Sequence, residues 1–125
     1  MSEKLERKDD LRARTKWYAR IVIRLYVEIQ KLKREELRII GRQFLRSGTS
    51  VAANYREASR ARSDAEFISK IEVCAQEADE TLLWMELLDE ECGIKSESLD
   101  FLLRESDELI AIFTTMSKNV KKRKK

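Results

Sequence analysis

The sequence predicts an all-α protein, an antiparallel up-down-up-down four-helix bundle, on three observations. The 125 residues contain no proline and only three glycines, Gly41, Gly48 and Gly93. A sandwich or barrel needs turn residues roughly every 8–12 positions, and they are missing here. Charged residues make up 39% and hydrophobic residues 42% of the chain. That is the balance of long helices with solvated outer faces, and it is too apolar for a disordered chain. Four segments carry apolar residues three or four apart, each marking one face of a helix. Short connections between such segments favour antiparallel neighbours. The length fits one domain, expected at 1–117 with a basic tail at 118–125.

The first helix is expected at about 11–32, with its face formed by Tyr18, Ile21, Leu25, Ile29 and Leu32. Trp17, Ile23 and Val27 widen its apolar surface, so another subunit is a plausible cover for that second side. Its end is weakly marked, because the run from Lys31 to Glu36 holds no glycine, proline or N-cap residue. A tight break there is inferred from the fresh apolar repeat that begins at Leu37. The second helix, 36–60, runs through Leu37, Ile40, Phe44, Ser47, Val51, Tyr55 and Ala58. Its centre, from Ser47 to Ala53, is small and partly β-branched, a costly composition for an isolated helix. It reads as the tightest helix crossing of the core, with a plain loop at Ser47–Ser50 as the alternative.

The third helix, 64–92, opens with the capping box Ser63-Asp64-Ala65-Glu66. Its face is Phe67, Ile71, Cys74, Ala78, Leu82, Met85 and Leu88, and Gly93 followed by Ile94 reads as a left-handed stop. Ser96 or Ser98 caps the fourth helix, 97–120, whose face is Leu99, Leu102, Ser106, Leu109, Phe113, Met116 and Val120. The 3,4 spacing predicts shallow left-handed crossings of about 20°.

Absences bound the chemistry. With no histidine, a Ser-His-Asp triad, a Cys-His pair and a histidine-ligated metal are excluded. Cys74 and Cys92 lack CxxC spacing, and Cys74 reads as a buried small hydrophobe. Cys92, beside Gly93, reads as a residue that could be exposed, with no basic neighbour to activate it. No apolar run spans a membrane, and the segment MSEKLERKDD has no signal-peptide core. The expectation is a reduced cytoplasmic protein without enzymatic activity, cofactor, metal or membrane contact.

The net charge of +3 hides a segregated pattern. Residues 1–62 hold 17 Lys/Arg against 8 Asp/Glu, residues 63–117 hold 3 against 15, and residues 118–125 hold 6 against none. Either the basic and acidic helices screen each other, or one basic face stays free for a polyanion.

The stretch Leu45-Arg-Ser-Gly-Thr-Ser-Val-Ala-Ala-Asn-Tyr-Arg-Glu-Ala58 resembles the signature of a bacterial four-helix-bundle family. Its founding members are encoded within intervening sequences of large-subunit ribosomal RNA genes, and they have been labelled ribosomal-type proteins. Asp64, Glu66-Phe67, Lys70-Ile71, Glu77-Ala78, Glu80-Thr81, Trp84 and Leu87-Leu88 continue the likeness, which covers about Tyr18 to Met116. The resemblance implies a bundle assembled as a ring, typically a pentamer. A related branch is the accessory variability protein of diversity-generating retroelements, where a basic barrel is associated with reverse transcriptase and nucleic acid. Family members often carry a proline near the first interhelical break, and this chain has none.

Ser50, Asn54 and Glu57 of that signature sit at i, i+4 and i+7, on one side of a helix. They read first as a hydrogen-bond network fixing helix register, then as a subunit interface, with catalysis a distant third. Glu57 has no lysine or histidine partner at helical spacing, and Arg56 and Arg60 would keep it ionised. Arg34, Arg38, Arg42 and Arg46 form an i+4 ladder, which needs compensation because like charges at that spacing repel. Acidic partners such as Glu77, Glu80 or Glu86 would supply it, or else phosphate would. Arg20 and Arg24 add a shorter ladder, and Lys118, Lys121, Lys122, Arg123, Lys124 and Lys125 a basic end. Trp17 and Trp84 fit bundle or subunit packing better than base stacking, which would need exposed aromatics in a basic groove. The leading expectation is a non-enzymatic homo-oligomer that binds nucleic acid, RNA ahead of DNA, through arginine-rich helices. The alternative is a protein-interaction scaffold or a reverse-transcriptase accessory subunit, its charges used between subunits.

Overall fold

The computed structural model describes residues 3–123, with side chains for residues 10–123. Four helices follow one another: α1 (Glu3–Gln30), α2 (Glu35–Ser59), α3 (Asp64–Glu90) and α4 (Glu97–Arg123). Together they form an all-α four-helix bundle in which α2 packs on α1 and α3, and α3 packs on α4. The remaining edge, α1 against α4, is the loosest. Toward one end it leaves a cleft of about 940 Å³, lined by Leu11, Phe67, Ile112 and Met116 among others.

Two helix bounds differ from the apolar pattern. α1 begins at Glu3, not near Leu11, since its first turns are a charged segment without the apolar repeat that marks the rest of the helix in the sequence. α4 continues through Arg123, so the basic end is helical that far. Lysines there complement the helix C-terminus. Lys124 and Lys125 lie outside the described residues.

The break after α1 needs neither glycine nor proline, because Lys33 itself adopts a left-handed conformation with φ 54°. Arg34 is the N-cap in extended conformation without a side-chain cap, and Glu35 and Glu36 face the positive helix start instead. Gln30 Nε2 donates to the Leu37 carbonyl at 2.8 Å, tying the two helices across the turn. Leu32, expected on the core face, is 53% exposed because the helix has already ended.

Ser63 caps α3 as expected, accepting from the Glu66 amide at 3.1 Å. Glu66 reaches back to the amide of Arg62, one residue earlier than the capping-box pattern places it. At the other end Gly93 has φ 71° and the Ile94 amide donates to the Leu88 carbonyl at 2.9 Å, which closes a Schellman-type stop. Cys92 is buried by this turn, not exposed, and burial pushes its thiol up. Ser96, and not Ser98, accepts the Leu99 amide at the start of α4.

Most of the expected core-face positions are buried, with Tyr18, Phe44, Val51, Ile71, Met85, Leu102, Leu109 and Phe113 fully inside, while Ile40, Phe67 and Met116 are only partly buried. Tyr55 stacks on Phe113 with ring centroids 6.0 Å apart. The stretch Ser47–Ser50 is helical, and its hydroxyls bond carbonyls one turn back, so the unfavourable composition leaves no polar atom stranded. On α3 the fully buried position is Thr81, while Leu82 is only half-buried. This exchange creates a polar layer. Thr81 Oγ1 lies 2.7 Å from Ser47 Oγ, and Tyr18 Oη lies 2.6 Å from Ser106 Oγ. One residue from each helix thus meets inside the bundle, and the paired hydroxyls specify register without leaving buried donors unsatisfied.

Candidate functional site

The arginine ladder on α2 does not act as one stripe. Successive i+4 positions drift by about 40° around a helix of 3.6 residues per turn. Arg34, at the start, pairs with Glu36 at 2.5 Å, and Arg38 pairs with Glu35. Arg46, three steps on, has rotated toward α3, where it pairs with Glu77 at 3.3 Å and with Glu80. Arg42 is exposed and makes no ion pair among the described residues. Of the expected interhelical acids Glu77 and Glu80 are used, and Glu86 is not.

These pairs leave electrostatic marks. The hydrogen bond from Arg38 holds the Glu35 carboxyl below its ordinary range, and the nearby charge of Arg42 adds to this. Glu80 is lowered first by the indole N–H of Trp84, at 3.0 Å, and then by Arg46. The Arg46 guanidinium is raised in turn, chiefly by its bond to Glu80. Glu77 and Glu80, which hold Arg46, are only 19% and 33% exposed, whereas the Arg34–Glu36 and Arg38–Glu35 pairs are open to solvent on both sides and contribute little. A phosphate could exchange for such a carboxylate at little cost.

On α1, Arg20 and Arg24 are exposed and pair with no acid among the described residues. Both guanidiniums instead lie over the Trp17 ring, 5.7 and 5.6 Å from its centroid. At the basic end, Lys121 is engaged with Glu72 of α3 at 2.8 Å, whose carboxyl it lowers, while Lys122 and Arg123 are exposed.

The signature residues do less interhelical work than expected. Asn54 donates to the Ser50 carbonyl at 2.9 Å and Ser50 to the Arg46 carbonyl at 2.8 Å, both within α2. Glu57 is exposed and pairs at 3.4 Å with Lys70 of α3. The register-fixing layer is the Tyr18–Ser47–Thr81–Ser106 set. One strong contact had no local signal in the chain. Arg14 of α1 holds the buried Glu105 of α4 with two hydrogen bonds of 2.8 Å, and Glu108 at 2.7 Å. Its partners lie more than ninety positions away. Burial pushes the Cys74 thiol up to about 12, consistent with an inert core residue. Among the described residues no group of three Cys, Asp or Glu side chains is placed to hold a metal ion.

A family model described as "23S rRNA-intervening sequence protein" matches residues 15–115. The chain is also similar to a solved protein of unknown function from the S23 ribosomal protein family of Bacteroides thetaiotaomicron VPI-5482. The two are 31% identical over 89% of this chain and 97% of that one, with a TM-score of 0.79. No curated protein matches the chain.

Proposed function

The chain belongs to the 23S rRNA-intervening sequence protein family, and from that premise we propose that it is a non-enzymatic, cytoplasmic, homo-oligomeric bundle that binds nucleic acid, RNA in the first instance. One observation carries this reading. After the intrachain pairs are assigned, Lys16, Arg20, Arg24, Arg42 and Arg56 remain exposed on the adjacent helices α1 and α2 without an ion pair among the described residues. Between Asp10 and Glu28 the chain has no carboxylate at all. Arginines so placed match phosphate oxygens, and Lys122 and Arg123 extend the field. Arg34 and Arg38 contribute as an exchangeable reserve, because their carboxylate partners Glu36 and Glu35 are exposed and weakly held, whereas Arg46 is held by the less exposed Glu77 and Glu80.

The alternative is a scaffold, or an accessory subunit of a reverse transcriptase, that spends its charges on protein partners. The observation that favours it is the run of exposed apolar side chains Trp17, Ile23, Val27, Ile39 and Leu83. A homo-oligomer, pentameric by the family resemblance, would cover part of that surface.

A mobility-shift series with structured RNA and duplex DNA, at about 50 and 150 mM salt, tests the proposal. Binding that weakens steeply with salt, and weakens further in Arg20→Glu and Arg42→Glu variants of unchanged mass by light scattering, supports it. No shift at the lower salt refutes it. Loss of assembly in those variants with RNA binding intact moves the assignment to the scaffold.

A further inference from the structure

From Trp17 and the two arginines over it, we infer that the outer face of α1 carries a stacking site for an unpaired base of single-stranded RNA. This inference rests on the nucleic-acid reading above and names where the strand lies. The two tryptophans differ in kind. Trp84 is half-buried against the core and its indole N–H is held by Glu80 at 3.0 Å. Trp17 is 45% exposed, and its indole has no hydrogen-bond partner among the described residues. An exposed indole of that size leaves apolar surface in water, which an occupant would remove.

The surroundings select a planar, anionic occupant. Arg20 and Arg24 sit one and two turns beyond Trp17, with guanidiniums 5.7 and 5.6 Å from the ring centroid, within cation–π range. Neither is neutralised by an acid, and Lys16 beside them is equally unpaired among the described residues. Two carboxylates of the neighbouring helix that reach α1, Glu105 and Glu108, are both taken by Arg14. A base stacks on the indole or on a guanidinium plane while its flanking phosphates meet the arginines. In a duplex the base faces are already stacked, so the site discriminates in favour of single strands.

The test uses the full chain. Fluorescein-labelled oligoadenylate, an abasic strand of equal length and an RNA duplex are titrated against wild type, Trp17→Phe and Trp17→Leu by fluorescence anisotropy. The expected result is a loss of roughly tenfold in single-strand affinity for Trp17→Leu, the size of one lost stack. Trp17→Phe should be near wild type, and the duplex and abasic strand should change less than twofold. In a Trp84→Phe background, where Trp17 is the sole tryptophan, oligoadenylate should quench its emission and acrylamide should reach it in the free protein. Three results overturn the inference. Equal binding of all probes by Trp17→Leu removes the stack while leaving the electrostatic proposal standing. Shielding of Trp17 from acrylamide in the free protein assigns the face to a second copy of the chain. Absence of binding by wild type to every probe removes the nucleic-acid reading itself, and this site with it.

Discussion

Gly48 of α2 lies against Val22 of α1 so closely that a β-carbon at residue 48 would stand 2.8 Å from both Val22 methyl carbons. Val22 is fully buried, and a β-branched side chain in a helix has one strongly preferred rotamer, so it cannot swing aside. Gly48→Ala gains about 1 kcal/mol of helix propensity but meets an overpacking cost of about 1–3 kcal/mol. The net expectation is a loss, read as a lower urea midpoint. Combining it with Val22→Ala should recover part of that loss, since the second change makes the space the first one needs. A higher midpoint for Gly48→Ala alone would mean that the crossing is not tight.

Arg14 and Glu105 join the two helices that otherwise touch least, and removal of either partner should have unequal effects. Arg14→Ala leaves the Glu105 carboxylate, with its side chain 8% exposed, without its cation. Glu105→Ala leaves an arginine that is 29% exposed and still bonded to Glu108. Breaking a buried pair costs about 3–5 kcal/mol, and this one is only partly buried. Expected losses at pH 7 are therefore about 2–3 kcal/mol for Arg14→Ala and about 1 kcal/mol for Glu105→Ala. The double variant should be no worse than Arg14→Ala, as measured by a urea double-mutant cycle. Equal single losses would contradict the difference in burial.

The helices were legible because each core face repeats every three or four residues, as in Phe44-Ser47-Val51-Tyr55 and Leu102-Ser106-Leu109-Phe113. The close crossing was legible from small residues alone. What could not be read was pairing across distance. Ser47, Ser106 and Tyr18 each fall on the apolar repeat of their helix, yet nothing local says that they meet, and spacing alone does not choose Thr81 over Leu82. The ladder failed as a single unit for a geometric reason, since a strict i+4 row winds around its helix. Local partners are readable in principle, as with Arg38 and Glu35 at i+3 and Trp17 and Arg20 at i+3, because i+3 neighbours share a helix face. Arg14–Glu105 was beyond any local rule.

The polar layer should make the protein sensitive to alkali. Burial pushes the Tyr18 phenol from 10.0 to about 12, against the opposing bonds to Ser106 and Thr81. Below pH 10 it is protonated in both folded and unfolded states. Between about 10 and 12 the unfolded chain ionises while the folded one does not, so stability falls as pH rises, by about 1.4 kcal/mol per unit. Tyr18→Phe should lose about 1 kcal/mol at neutral pH, the net value of one hydrogen bond. It should also show a shallower decline above pH 10. Cys74, raised to about 12 by burial, contributes to the decline in both proteins and cancels in the comparison. Parallel curves for the two proteins in urea titrations from pH 9 to 11.5 would exclude a raised Tyr18.

The turn between α1 and α2 should respond to glycine and proline in opposite directions. Lys33 holds φ 54°, a conformation that costs an L-residue roughly 1–2 kcal/mol and glycine nothing. Glycine returns part of that gain as unfolded-state entropy, so Lys33→Gly should stabilise by about 0.5–1 kcal/mol and raise Tm by a few degrees. Proline, which the family resemblance leads one to expect near this break, does not fit here. It needs φ near −65°, whereas Lys33 is at 54° and Arg34 at −106°. At residue 33 it would also delete the amide bond to the Gln30 carbonyl. Lys33→Pro should therefore lower Tm by calorimetry, while Lys33→Gly raises it. The left-handed lysine reverses the chain without proline, and a stabilising Lys33→Pro would show that residue 33 does not hold that conformation.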